Sequence, residues 1–403
     1  MNNEFGMIRE RIIKSMDLSK QMNEEEIKEV IDREILKDEK TRHLKLEARA
    51  VLRKEIFYAI RRLGILQELL NDSEITEIMV NGTEPVFIEK KGRLWQLEVR
   101  FDSVEKLNHV IQQIAAESNR VVNEASPIAD ARLKDGSRVN VVLPPAALNG
   151  PILTIRRFPK ETITIKQLIE FGSISREAAL FLESLVKAGY NILVSGGTGS
   201  GKTTFLNVLS SFIPKDQRVI TIEDSAELQL QGLPNLVRLE TRNANVEGCV
   251  EITIRDLIKT SLRMRPDRII VGEVRGKEAV DMLQSVNVGH CGMTTVHANS
   301  VRDVVSRLET MVLMGMELPV AAIRKQIVAG FEIMVHLGRL RDGSRHVLEI
   351  AETVSVTDGE VKVHTLYRFE EAKETKNDRV MGELIRTGEL KNVEKLKAAG
   401  FSI

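Results

Sequence analysis

Apolar positions along this chain follow different rhythms in successive stretches, and each rhythm predicts a different kind of element. From about Met1 to Glu68 the sequence is dense in Lys, Arg and Glu, and Ile27, Val30, Ile31 and Ile35 recur at i, i+3, i+4 and i+8. That spacing predicts a helical segment with one apolar stripe, covered either by the chain's own domain or by a partner. From Asn71 the period drops to two. Short runs at Glu77–Val80, Pro85–Glu89 and Leu94–Leu97, separated by Asn81-Gly82 and Lys91-Gly92, predict a small antiparallel sheet. Val104–Ser118 reads as an amphipathic helix with Leu107, Ile111 and Ile114 on one side. A hairpin is predicted over Arg132–Leu143, stopped by Pro144-Pro145, and Leu153–Phe158 reads as one more strand. This second region, 69–158, is therefore α+β, and 159–175 reads as a linker into the glycine-loop region.

The third region changes again, to short unbroken apolar runs of the kind buried on both faces of a parallel sheet. Ile192-Leu193-Val194 leads directly into Gly196-Gly197-Thr198-Gly199-Ser200-Gly201-Lys202-Thr203-Thr204, which fits G-x-x-x-x-G-K-S/T without a mismatch. Glycines let several backbone N–H groups converge on one concavity, and the helix opening at Lys202 adds the positive end of its dipole. A polyphosphate fits there, with Lys202 as a point charge on it and the Thr203 hydroxyl placed for its Mg²⁺. The strand Arg218–Ile222 closes on Glu223-Asp224, which serve either as carboxylates facing the same crevice or as a helix cap. Arg268–Val271 closes on Gly272-Glu273, with glycine where an aspartate normally precedes the glutamate. Glu273 must then act alone at that strand end, holding Mg²⁺ through water or orienting the attacking water. Thr294–Ala298 carries His297 at its end, where a histidine serves as a sensor of the terminal phosphate or as a plain structural donor.

Composition narrows the class. At 403 residues the chain holds two or three domains, and 58 basic against 58 acidic residues give no global attraction to nucleic acid or anionic lipid. Aromatic residues are 4 %, which argues against a DNA-processing ATPase, the alternative that shares the phosphate loop. No direct nucleic-acid partner is expected. Cys249 and Cys291 lack metal or disulfide spacing, no run approaches a membrane span, and the expected location is the cytoplasm. Arg132, Arg138, Arg156 and Arg157 gather in the second region, expected to lie without nearby acids, either as a solvated strand face or as contacts to a nucleotide held by a neighbouring domain or subunit.

Four motifs in order carry a resemblance: GGTGSGKTT from Gly196, TIEDSAEL from Thr221, RPDRIIVGEVRG from Arg265 and GHCGMTTVHANS from Gly289. With DGSRVNVVLPP from Asp135 and LTIRRFP from Leu153, the chain resembles the CpaF-type secretion ATPases, the motors of Tad pilus assembly within the type II and type IV secretion ATPase superfamily, over about Ala50 to Phe369. The Gly-Glu strand end is that superfamily's form. The resemblance implies a RecA-like P-loop ATPase core, a mainly parallel sheet flanked by helices (176–369), preceded by an α+β N-terminal domain (69–158) and a helical N-terminal segment (1–68). Residues 370–403 would be a tail. It further implies ATP and Mg²⁺ as cofactors, with Thr203, Glu223 and Glu273 around the metal. A homo-oligomer is implied, a hexameric ring with ATP at subunit interfaces and Arg138 and Arg156 reaching the γ-phosphate. Platform proteins of the inner membrane are the implied partners, and the implied work is pilin or substrate export.

Overall fold

The computed structural model describes residues 24–37, 41–61, 63, 65–90, 92–118, 120–157, 162–242, 250–372 and 380–401. Cys249, Arg62, Gly64, the hinge's start at Pro159 and the first 23 residues of the expected helical segment lie outside them. The chain divides into two compact units, Met1–Lys160 and Glu161–Ile403.

In the first unit, helices α1 (Glu24–Lys37) and α2 (Leu46–Arg61) form a pair. Ile27, Ile31 and Ile35 are buried against Leu52, Ile56 and Phe57, so the predicted stripe is covered by the chain's own next helix. After α3 (Leu66–Asn71), strands β1 (Ile75–Asn81), β2 (Phe87–Lys90), β3 (Arg93–Gln96), β4 (Ile128–Arg132), β5 (Arg138–Val142) and β6 (Ile152–Arg156) form one antiparallel sheet, order β3-β2-β1-β6-β5-β4. The glycines of the two expected turns take left-handed conformations that favour glycine, Gly82 at φ +63° and Gly92 at φ +72°, and Gly136 turns the predicted β4–β5 hairpin at φ +91°. Helix α4 (Val104–Glu117) starts because Ser103 accepts from the Lys106 N–H, and it buries Leu107, Val110, Ile111 and Ile114 on the sheet.

The second unit is built on nine strands in the order β15-β14-β13-β12-β7-β11-β10-β8-β9. Six run parallel: β7 (Ile192–Gly196), β8 (Val219–Glu223), β9 (Leu236–Glu240), β10 (Arg268–Val271), β11 (Cys291–His297) and β12 (Ile333–Arg339). Three more, β13 (Arg345–Thr357), β14 (Glu360–Glu371) and β15 (Gly382–Arg386), extend it antiparallel. Helices cover both faces over two apolar clusters. Leu182, Leu185, Phe205 and Leu209 lie in one, and Ile258, Leu283, Leu308 and Ile327 in the other. Both clusters draw on the same strands because consecutive β-branched residues point to opposite faces.

Two boundaries differ from the sequence reading. Residues 162–175 are no bare linker: α5 (Ile165–Glu170) opens on a Thr164/Gln167 capping box, and Leu168 and Ile174 are buried in the sheet's core. Residues 382–398 are no tail, since β15 pairs with β14 and α12 (Glu394–Ala398) buries Leu396. Neighbouring elements of the second unit give both stretches a surface to cover.

Candidate active site

Strand β7 delivers the glycine loop. Its residues are buried throughout, held between β11 and β12, and the chain turns at Gly196 with φ +156°. A Cβ at Gly196 would stand 2.5 Å from Leu337 O and from Ser200 Oγ, so the close approach of β12 demands glycine here. Gly197, Thr198 and Gly199 form the exposed tip, and Ser200 folds underneath it, donating to Gly197 O at 2.8 Å. Gly201 at φ +93° then starts helix α7 (Lys202–Ser210). Thr203 is half-buried in its first turn, and Thr204 is exposed.

Lys202 is buried at 8 % exposure, and its Nζ donates to Gly197 O at 3.0 Å. Burial pushes its pKa down, opposed by Glu273 and reinforced by Arg275. Its other contact is His297 Nδ1 at 3.3 Å, from the end of β11. His297 Nε2 stands 2.8 Å from Glu273 Oε1. An ammonium can only donate, so Nδ1 accepts and Nε2 carries the proton that faces the carboxylate. Burial lowers the His297 pKa, with Glu273 opposing, which agrees with this neutral tautomer. Glu273 Oε2 in turn accepts from Arg275 Nε at 2.7 Å and Nη2 at 2.6 Å, and Arg275 Nη1 reaches to 3.9 Å from Asp224 Oδ2. Glu273 Oε1 is buried and, despite the nearby ring, receives no well-directed hydrogen bond. The result is one chain of groups, Lys202, His297, Glu273 and Arg275, strung across the ends of three elements.

Glu223 sits apart from that chain. It is 3 % exposed, and its Oε2 accepts from the backbone N–H groups of Glu227 at 2.6 Å and Leu228 at 2.8 Å, while Oε1 is buried without a partner. Burial raises its pKa against those donors. Its side chain also explains the missing aspartate of β10, because a Cβ at Gly272 would meet Glu223 Cγ at 3.0 Å and Oε2 at 3.4 Å. Glycine is the residue that leaves Glu223 its place.

Arg138 and Arg156 belong to the first unit. Arg132, Arg138 and Arg156 are successive register partners across β4, β5 and β6, and Glu77 of β1 is next in the same row. The row contains an acid after all: Arg156 Nε lies 3.6 Å from Glu77 Oε1. Arg157 leaves the group, donating through Nη1 to the carbonyls of Asp72 and Ile75.

Three features escaped the sequence reading. Arg275 is a plain i+2 neighbour of Glu273, and only its reach makes it part of the site. Ser195 and His336, register partners on β7 and β12, meet at 3.0 Å between Oγ and Nδ1 beneath the loop. Arg345 Nε donates to Gly199 O at 2.8 Å from the start of β13. The RDGSR turn at Arg341–Arg345 was available as a hairpin signal, because Asp-Gly between apolar runs marks one.

The residues present fit a magnesium nucleotide: a glycine cradle, a desolvated lysine, a hydroxyl one position on and a carboxylate opposite. Among the described residues no group of three His, Cys, Asp or Glu could cage a metal by itself, so Mg²⁺ would enter with phosphate ligands. None of the described helices is long and apolar enough to cross a membrane.

Comparison with known proteins agrees with this geometry. The model of the family described as Type II/IV secretion system protein matches residues 60–366. A Mycobacterium tuberculosis protein provisionally named for conjugal transfer is 37 % identical over 311 residues, covering 75 % of this chain and 88 % of the relative. The type IV secretion system protein VirB11 of Brucella suis is 32 % identical over 322 residues, 71 % of this chain and 87 % of its own. Among solved structures, the Legionella pneumophila ATPase DotB superposes with a TM-score of 0.51 at 20 % identity, over 71 % of this chain and 79 % of that one. The pilus retraction motor PilT with bound ADP gives 0.52 at 18 %, over 84 % and 87 %. At such identities the two structures bear on the fold, which is the same mixed α/β core on a large sheet with a domain before it.

Proposed function

The chain belongs to the type II/IV secretion system protein family, and from that premise we propose that it is a motor ATPase, converting ATP and water to ADP and phosphate and passing the movement to a secretion or pilus-assembly machine. The observation that carries this reading is the chain of groups from Lys202 through His297 and Glu273 to Arg275, set against the glycine loop. An entering phosphate gives Lys202 a better acceptor than Gly197 O. Lys202 then releases the His297 ring, and the ring's hold on Glu273 changes with it. Glu273 Oε1, the buried oxygen with no directed donor, takes the hydrogen of the attacking water, while Arg275 fixes the carboxylate through Oε2. Thr203, and Glu273 through water, would hold Mg²⁺, which supplies charge neutralisation on the phosphates. Glu223 acts one step back: it fixes the turn at Glu227 and Leu228 and packs on Gly272, which aims Glu273.

The finer assignment is a Tad-type pilus motor working as a homo-hexamer at the cytoplasmic face of the membrane, on platform proteins embedded there. In such a ring Arg138 and Arg156 of one subunit reach the γ-phosphate held by the next. The test is phosphate release from MgATP by the purified chain at increasing protein concentration. Specific activity should rise as subunits assemble, Lys202→Ala should abolish it, and mixing Lys202→Ala with Arg156→Ala should restore part of it. A confirmed monomer with a concentration-independent rate would overturn the shared site, and near-normal turnover by Lys202→Ala would overturn the motor reading.

A further inference from the structure

The glycine loop has two flanks, and the order β12-β7-β11-β10 decides what stands on each. On the β11 and β10 side are His297 and Glu273. On the other side the β12–β13 hairpin presents Arg339 and Arg345, which are register partners and both exposed. They lie against the loop itself. Arg345 Nε donates to Gly199 O at 2.8 Å, a Cβ at Gly201 would stand 3.4 Å from Arg345 Cδ, and one at Gly199 would stand 4.0 Å from Arg339 Nη1. Their neighbour Arg341 is paired with Glu371, and Asp342 is spent on Ser344 and the Val380 N–H. Among the described residues, neither Arg339 nor Arg345 forms an ion pair. Two adjacent guanidinium groups are thus turned to the loop with no acid between them.

We propose that Arg339 and Arg345 form the nucleoside end of the site, receiving the purine ring and its ribose. This rests on the nucleotide reading above. If the terminal phosphate lies toward Glu273 and His297, a triphosphate stretched along the loop leaves its nucleoside on the opposite flank, over this hairpin. A guanidinium suits that place because its plane stacks on a base, whereas a lysine offers only a point charge. The hairpin also sets specificity, since what it recognises is absent from bare polyphosphate.

The experiment is competition binding of ATP, ADP and magnesium tripolyphosphate to the full chain and to Arg339→Gln, Arg345→Gln and the double variant, with thermal melts to confirm folding. Glutamine can still donate to Gly199 O, so the loop's brace is kept. The double variant should lose roughly tenfold or more in affinity for ATP and for ADP, the scale of lost base stacking, and stay within about twofold for tripolyphosphate. An equal loss for all three ligands would overturn the assignment, by showing that the arginines act on the loop or on phosphate. Unchanged ATP affinity would overturn it as well. If the unaltered chain bound none of the three, the nucleotide reading itself would fall.

Discussion

The nine-stranded sheet is two structures joined where β12 meets β13. In the parallel half, β7, β8 and β10 are four or five residues long and buried at every position. In the antiparallel half, β13 and β14 run to 13 and 12 residues, with register shifts at Ile350/Ala351 and Thr353/Ser355 and buried, half-buried and exposed positions intermixed. The parallel half carries the reacting groups because its strands all point the same way, so their carboxyl ends collect in one crevice. Antiparallel strands scatter their ends, and that half supplies braces instead: Arg345 on Gly199 O above, and Glu352 accepting the Lys391 and Asn392 N–H groups below. Reaction and support are thus divided along the sheet.

The sharpest way to break this division is Glu273→Gln. It keeps size and hydrogen bonding but removes the charge, so ATP should still bind while turnover falls ~100-fold or more. Combined with His297→Ala, the loss should be far smaller than the product of the two single losses, since groups acting as one unit are not additive. Clean multiplication would separate His297 from the chain. Next in size is Gly272→Ala, which should cost roughly tenfold or more in turnover. The new methyl must displace a Glu223 side chain already pinned by two backbone donors. An unchanged rate would show that Glu223 gives way freely.

Changes away from the reacting groups should move stability instead. Lys395 Nζ lies 2.6 Å from Glu332 Oε2, which also accepts from the Asn191 N–H at the root of β7. Lys395→Met should lower unfolding free energy by about 1–2 kcal/mol, less than a fully buried pair because the lysine is partly exposed. ATP affinity should stay within about twofold, measured beside the denaturant midpoint. The smallest effect concerns His336, whose pKa burial lowers below 6.5, with Glu349 opposing. The unfolded chain therefore binds the extra proton first as pH falls, and stability declines from the ordinary imidazole range downward. Between about pH 7.5 and 5.5, His336→Asn should lose up to roughly 1 kcal/mol less than the unaltered chain. An identical pH response would release His336 from that role.

The same division explains what was legible in the sequence. Four strands of the parallel half, β7, β8, β10 and β11, announced themselves as runs closing on Gly196, Glu223, Glu273 or His297, because burial on both faces leaves few polar interruptions; β9, half exposed, and β12 gave no such signal. Glu223 and Glu273 both close apolar runs in sequence, and both were expected around the metal. Only the Cγ of Glu223 against Gly272 shows that one carboxylate is folded inward, while the other connects to Lys202 through His297. Residues 370–403 read as a tail because β15 is defined by its pairing to β14 rather than by its own residues. Arg275 and Arg345 reach their partners through long side chains, which leave no periodic trace.

The strand that leads into the loop is fastened from far along the chain. Tyr190 donates its hydroxyl hydrogen to Asn392 O at 2.6 Å, and Lys395 Nζ donates to Gly189 O at 3.0 Å, across 202 and 206 residues of sequence. During synthesis the phosphate loop leaves the ribosome about ten to forty seconds before these fastenings exist, at ordinary elongation rates. Until they arrive, Glu332 and the root of β7 lack their last cover, and the growing sheet presents a bare edge first at β12 and then at β14. The nucleotide site is therefore among the last parts of this unit to be completed, although its sequence is among the first to emerge.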